Sequence, residues 1–537
     1  MAPDEEPPQI RSFAMKIERT KNTIKNIKVG MFLRVYQMLV PFLMRTVMLY
    51  FMGVQYLGLN SLFTSVLQVL NLAELGVGSA MVFAMYKPIA HDDTQTICAL
   101  MRLYRKYYRI IGAVVGAVGL ALTPAIPYLI SGDIPGELNI YVLYLLNLGT
   151  TVLTYWLFAY RNCLLQAHQR TDAASLVTAG TYTLQCVIQI VVLLVFKNYY
   201  LYVITALLTQ VINNVVTAVV TTKMYPLYRP IGTLDEVSTK AINQRIRDIF
   251  TGKLGAVVLK SSDTLVISGF LGLTVLAIYH NYFFIVSSIL GIVEIILSSM
   301  TAGLGNSYVL ETKEKNYQDL KKFTFLFMWL TGVCTCCFLG MYQPFMEIWT
   351  GEELMLEFGA VICFAAYFLV YTLNRLLSVY KDAAGLWHED RFRPLITALA
   401  NLLLNLLLVK EWGIYGVLLS TVLSMVLIGM PWIIQNLFSG FFERSMMRGY
   451  VGQLLVQVFL TIVSGVLTCL ACTQVKVDVW LELCICAVIS CLIPNLIFWV
   501  FFRKSAIFKQ GVRFLDHLTG EKLKLECRLC SMNDSDA

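Results

Sequence analysis

The chain has 537 residues, of which 57% are hydrophobic and only 14% charged, against roughly a quarter charged in soluble proteins. That composition excludes a water-soluble fold. Its apolar residues come in runs of about 20, the length that crosses a ~30 Å hydrocarbon core at 1.5 Å per helical residue. The net charge of +8 would suit an anionic partner, but its distribution along the chain decides its meaning.

The first 28 residues are polar, with no apolar core or small-residue cleavage site, so no signal peptide is expected and they read as a cytoplasmic tail. Fourteen spans follow, at 29–52, 59–85, 110–130, 140–160, 175–196, 199–222, 253–273, 276–304, 323–343, 357–380, 395–409, 412–438, 451–473 and 479–502. Strands of a membrane barrel would alternate apolar and polar residues, and no such alternation occurs. The expected fold is therefore an all-α polytopic membrane protein.

Span one carries Arg34 and Arg45, eleven residues apart and so on one helix face, about 16 Å apart along the axis. Span two carries Glu74. Span seven carries Lys260 and Asp263, three residues apart on a shared face, and span eight carries Glu294. Ionisable groups at the bilayer centre cost roughly 2.5–3.5 kcal/mol on insertion scales, so each is a functional candidate. The cations Arg34, Arg45 and Lys260 suit a bound diphosphate through charge-assisted hydrogen bonds. The bland reading is that Arg34 snorkels to the surface and that Asp263 neutralises Lys260. Glu74, Asp263 and Glu294 are candidates for ion coupling or for pairing with those cations. Arg161 and Arg375 fall near helix ends, where headgroup contact or snorkelling is expected, and the lone His280 reads as structural.

Between spans six and seven lies the linker 223–252, with an amphipathic stretch from Val237 to Phe250 that suits a helix lying on the membrane face. Most of the fourteen cysteines lie inside apolar runs as small hydrophobes, and no disulfide framework is expected. Cys527-x-x-Cys530 is a single pair, too few ligands for zinc. Asp92-Asp93 and Asp534-Ser-Asp536 lack the domain that a catalytic acidic pair needs, and no phosphate-cradling glycine loop occurs. No catalytic residue, metal or cofactor is expected, and the chain is not read as an enzyme.

With the N-terminus inside, only Lys197, Lys410 and Lys476 of the 42 basic residues fall in the opposite loops, whose acids include Asp133, Glu137, Glu352 and Glu353. The positive-inside rule then puts both termini in the cytoplasm, and nucleic acid needs no role.

An internal repeat is also legible. Leu57-Gly58-Leu59 recurs as Leu271-Gly272-Leu273, and Arg161 answers to Arg375, both at an offset of 214. Gln185 and Gln189 answer to Asn401 and Asn405 at an offset of 216. By that offset Arg45 maps to position 259, beside Lys260. The expected domains are an N-terminal lobe at 29–222, the linker 223–252, a C-terminal lobe at 253–438, and residues 439–537 carrying two extra helices and a tail. Parallel six-helix lobes point to alternating access.

The segments Tyr56 to Phe63, Leu72 to Ala80 and Tyr86-Lys-Pro88 resemble the N-terminal part of bacterial polysaccharide flippases of the Wzx type. So does Lys260-Ser-Ser-Asp263 through Gly272, followed by Ile278-Tyr-His-Asn-Tyr282. The resemblance implies the multidrug/oligosaccharidyl-lipid/polysaccharide exporter (MOP) superfamily, with two six-helix lobes. It implies a lipid-linked oligosaccharide substrate, undecaprenyl-diphosphate-linked, flipped from the inner to the outer leaflet of the bacterial cytoplasmic membrane. It also implies polysaccharide biosynthesis, with a polysaccharide polymerase, glycosyltransferases and membrane lipid as partners. The extra helix pair resembles the lipid II branch of the superfamily. Two readings compete. A multidrug or cation antiporter of the same fold would want an acid-rich cavity, and a glycan polymerase or ligase would want a large outward loop. The longest outward loop, near 344–356, is short.

Overall fold

The computed structural model describes residues 35–518 apart from 75, 133, 136 and 137, with the backbone alone for a few helical residues that include Lys260. Arg34, the N-terminal tail, Asp133, Glu137 and the C-terminal Cys527, Cys530, Asp534 and Asp536 lie outside the described residues. Sixteen helices are described: α1 Val35–Phe51, α2 Val54–Leu70, α3 Val77–Ala90, α4 Thr94–Leu122, α5 Ile140–Trp156, α6 Asn162–Ala167, α7 Thr171–Val191 and α8 Tyr199–Met224. Then come α9 Glu236–Leu310, α10 Lys313–Thr350, α11 Phe358–Ala383, α12 Arg393–Ser424, α13 Met430–Gly440, α14 Arg444–Cys472, α15 Val479–Phe502 and α16 Ala506–Leu518.

Where they are described, all fourteen expected spans fall on helix. Among the described residues nine helices are long and apolar enough to cross a membrane, or ten if the bent pair after α5 counts as one span. Two of the nine are far longer than a bilayer needs, at 58 residues (253–310) and 48 residues (393–440). Each contains a break at a glycine, Gly272 (φ 89, ψ 174) and Gly413 (φ 55, ψ −131), so each holds two spans. Only glycine adopts such positive-φ conformations without a steric penalty. The protein is thus a multi-pass helical membrane protein.

Span two departs from the sequence reading. Instead of one helix over 59–85 it is broken, with a 3₁₀ turn at Asn71–Glu74 and left-handed Gly76 (φ 90) between α2 and α3. The break turns the Glu74 carboxylate onto α4 and α5. The amphipathic stretch is helical as expected, but it is continuous with span seven as the start of α9. Its apolar face is only partly used: Ile242 is buried, while Val237 is 77% exposed. Ile246 and Ile249 pack on Gly76, so this stretch docks on the start of α3.

The chain divides into two compact units, Met1–Ala277 and Ile278–Ala537. In the first, the two copies of the Leu-Gly-Leu repeat meet each other. A Cβ at Gly58 would collide with the carbonyl of Leu273, so the missing side chain is what admits that backbone. The break at Gly272 is also held from outside, since the Ser131 amide donates to the Ser268 carbonyl at 3.0 Å and the Ser268 hydroxyl to the Leu129 carbonyl at 2.6 Å.

In the second unit α10 is the central helix, packed by α11, α14, α15 and α16. Phe325, Leu460, Phe498, Phe508 and Val512 form one buried cluster, to which amphipathic α16 contributes Phe508 and Val512. Phe508 is fully buried. Phe508→Ala should therefore cost about 3–5 kcal/mol, the range for buried aromatic truncation. The check is a lowered unfolding temperature of the purified protein together with faster proteolysis at Arg503 and Lys504.

Candidate functional site: the intramembrane polar groups

Glu74 sits at the centre of a hydroxyl cluster in the first unit. Tyr108 donates to Glu74 Oε1 at 2.6 Å, and Tyr155 stands 2.9 Å from Glu74 Oε2. Tyr104 in turn donates to Tyr108 at 2.7 Å, and Tyr155 is also 2.9 Å from Asn71 Oδ1. Tyr104 and Tyr108 lie one turn apart on α4, so their hydroxyls fall on one face. Tyr155 has a single proton for two acceptors. Its hydroxyl is thus shared between the Glu74 carboxylate and the Asn71 side-chain carbonyl.

Glu294 is held differently. The Arg375 guanidinium grips it with two of its three nitrogens, Nε donating to Glu294 Oε2 at 2.9 Å and Nη2 to Oε1. Arg375 is therefore committed to a carboxylate rather than to a headgroup, and Glu294 is neutralised within its own unit. Arg161, its counterpart in the repeat, donates to the Thr222 hydroxyl. No sequence signal pairs Arg375 with Glu294, because the partners are 81 positions apart.

Arg45 is half-buried on α1. It lies within electrostatic reach of the Tyr182 and Tyr202 hydroxyls, from α7 and α8. Asp263 is 9% exposed, in a run with buried Ser261, Ser262 and Thr264. Lys260 is placed by its backbone one turn before Asp263 on α9. His280 packs edge-on against Tyr279, in keeping with a structural role.

The repeat acquires a physical register. Gly53 (φ 101, ψ 170), which separates α1 from α2, has the same backbone conformation as Gly272. Matching those breaks gives an offset of 219, five more than the Leu-Gly-Leu match. Arg45 is then equivalent to Thr264, next to Asp263, rather than to position 259. Glu74 and Glu294 become equivalent to within one residue. The later part of the repeat keeps its offset of 216, which also brings Lys197 after α7 onto the break at Gly413, both at positive φ. Here the paired amides do similar work in both units. Gln185 Oε1 accepts from Thr209 at 3.1 Å, while Asn401 donates to Thr421 at 2.8 Å and Asn405 accepts from Ser420. The sequence pattern of amides four apart had no stated role; it fastens neighbouring spans inside each unit.

The second unit also contains a cavity of about 880 Å³, walled largely by apolar side chains such as Met300, Leu326, Trp329, Leu330 and Phe514. Its polar lining includes Asp319 and Lys322, an ion pair at 2.5 Å. Lys322 Nζ also lies 5.6 Å from the centre of the Phe514 ring. Among the described residues no group of three or more His, Cys, Asp or Glu side chains is arranged to hold a metal.

No family model matches the chain, and no curated protein matches it. Solved structures do. A lipid II flippase, MurJ, in an inward closed conformation superposes with a TM-score of 0.64 at 14% identity, covering 90% of this chain and 99% of that one. An inward-facing multidrug resistance transporter of the MATE family, in the MOP superfamily, gives 0.54 at 16% identity over 78% of this chain and 99% of its own. A eukaryotic MATE transporter gives 0.53 at 12% identity over 81% and 99%. The chain shares the fold of these three solved transporters. Within that fold the match extends over more of this chain for the lipid II flippase than for either MATE transporter.

Proposed function

We propose that this protein is a flippase that carries undecaprenyl-diphosphate-linked oligosaccharide from the inner to the outer leaflet of a bacterial cytoplasmic membrane by alternating access. The observation that carries this reading is how the intramembrane charges are disposed. Glu294 is occupied by Arg375 and Glu74 by two phenols, so these acids are poorly presented to a cationic drug. Arg45 is a half-buried cation on the first helix, within electrostatic reach of the Tyr182 and Tyr202 hydroxyls. Arg34, Arg45 and Lys260 are assigned to the diphosphate, and the 880 Å³ apolar cavity supports a substrate with a long hydrocarbon chain. Glu74 is assigned to coupling with a proton as the ion, since its neighbours are hydroxyl donors and a side-chain amide rather than a cage of carboxylates and carbonyls. Asp263 is kept as a second coupling candidate, whereas Glu294 serves as a structural partner of Arg375. The lobes at 29–222 and 253–438, both termini in the cytoplasm, and work beside glycosyltransferases and a polysaccharide polymerase belong to the same proposal.

Reconstitution tests it. Proteoliposomes should translocate a fluorescent undecaprenyl-diphosphate glycan and leave a cationic dye untransported. Export of the dye without the lipid would establish the drug-transporter reading instead. Orientation is checked separately by single-cysteine labelling in cells, where positions within 223–252 should be reached only from the cytoplasm and positions within 344–356 only from outside.

A further inference from the structure

A second cavity, of about 420 Å³, lies in the first unit between the end of α3, the start of α4 and the start of α9. Its walls carry Lys87 and His91 from the end of α3 and just beyond, Thr96 from α4 and Arg245 from α9, with Asp93 between the first two helices. The Arg245 Cζ lies over the Phe83 ring, 3.5 Å from its centroid. That cation–π contact uses the charge of the guanidinium but none of its N–H donors. Among the described residues neither Lys87 nor Arg245 has a carboxylate partner. Asp93, the one acid in the cavity wall, is already used: its carboxylate accepts from the Thr96 amide at 3.0 Å and caps α4. The Thr96 hydroxyl and amide hold its carboxyl below the usual aspartate range.

The cavity also straddles an apolar boundary. Phe83 and Tyr86 on α3 are 52% and 46% exposed, immediately before Lys87, which is where a span leaves the hydrocarbon and a lysine reaches the headgroup layer. Ala80 and Pro88 continue the apolar wall beneath the cations. We infer that this cavity binds the phosphodiester headgroup of an anionic membrane phospholipid, with Arg245 and Lys87 donating to its oxygens and the Phe83 side receiving the glycerol end. Basic pockets between membrane helices recognise such headgroups. Two walls come from the end of α3 and the start of α4 and one from the linker helix, so the lipid fastens the start of α9 to the α3–α4 turn.

Native mass spectrometry of the full-length protein, titrated with phosphatidylglycerol or phosphatidylcholine, tests the site. The wild type should hold at least one phosphatidylglycerol more tightly than any phosphatidylcholine. K87Q/R245Q should weaken that adduct by about tenfold or more, at roughly one kcal/mol per basic residue near the surface. K240Q/K313Q removes the same charge elsewhere on the surface and should leave it intact. Equal weakening in that control, equal binding of the two lipids, or an unchanged adduct in folded K87Q/R245Q would overturn the assignment. Displacement of the lipid by millimolar inorganic phosphate would also overturn it, by showing a site for the free ion.

Discussion

Arg45→Ala should lower the initial rate of glycolipid flipping in proteoliposomes by about a hundredfold or more, the consequence of leaving a desolvated diphosphate without one charged partner, which costs about 2–5 kcal/mol. Expression and membrane insertion should hold, because α1 keeps its apolar surface. Arg45→Lys should retain part of the rate, since the charge remains while the planar two-donor geometry is lost. Lys260→Ala is expected to behave like Arg45→Ala, and the pair together should abolish transport. Wild-type flipping in a folded R45A/K260A protein would remove both residues from the substrate site while leaving the fold and the headgroup pocket untouched.

The second large effect is expected at Glu74. Glu74→Gln keeps the side chain's size and its hydrogen bonds to Tyr108 and Tyr155, but it has no proton to release. Substrate binding should persist while accumulation driven by an imposed proton gradient is lost, leaving only downhill movement. Tyr155→Phe, which removes the hydroxyl shared between Glu74 and Asn71, should shift the pH dependence of transport without abolishing it. If E74Q protein still responds to the gradient as wild type does, the coupling group is elsewhere, and Asp263 is the next carboxylate to replace. A general loss of folded E74Q protein would mark the cluster as structural, and Tyr104→Phe would then separate the cases: it cuts the relay beyond Tyr108 but spares both contacts to the carboxylate.

Span placement was legible because it depends on length and composition. A run of about 20 apolar residues must be helical in lipid, where each backbone group has to be satisfied within its own segment. For the same reason the ionisable residues inside spans stood out one by one, since each is costly in hydrocarbon wherever it points. The period of 237–250 gave a helix, which the structure has, but only packing put Ile246 and Ile249 on Gly76 and left Val237 exposed. The register of the repeat differs by five residues in its first helices according to what is matched. Leu-Gly-Leu recurs as letters at 214, whereas the similar backbone breaks at Gly53 and Gly272 lie 219 apart, and dihedral angles are not written in residue identity.

By itself, then, the sequence determined the class of fold, the membrane environment, the span positions and the short roster of buried charges, because hydrophobicity and helical period are local properties of a chain. Only the tertiary structure decided which partners Glu74 and Glu294 take. Arg375 takes Glu294 from 81 positions away, and Tyr108 and Tyr155 take Glu74 across breaks in the chain. Partner choice at such distances follows from which helices pack side by side. That is fixed by close approaches such as Gly58 against Leu273, whose energy comes from the whole packed interface and from no single segment.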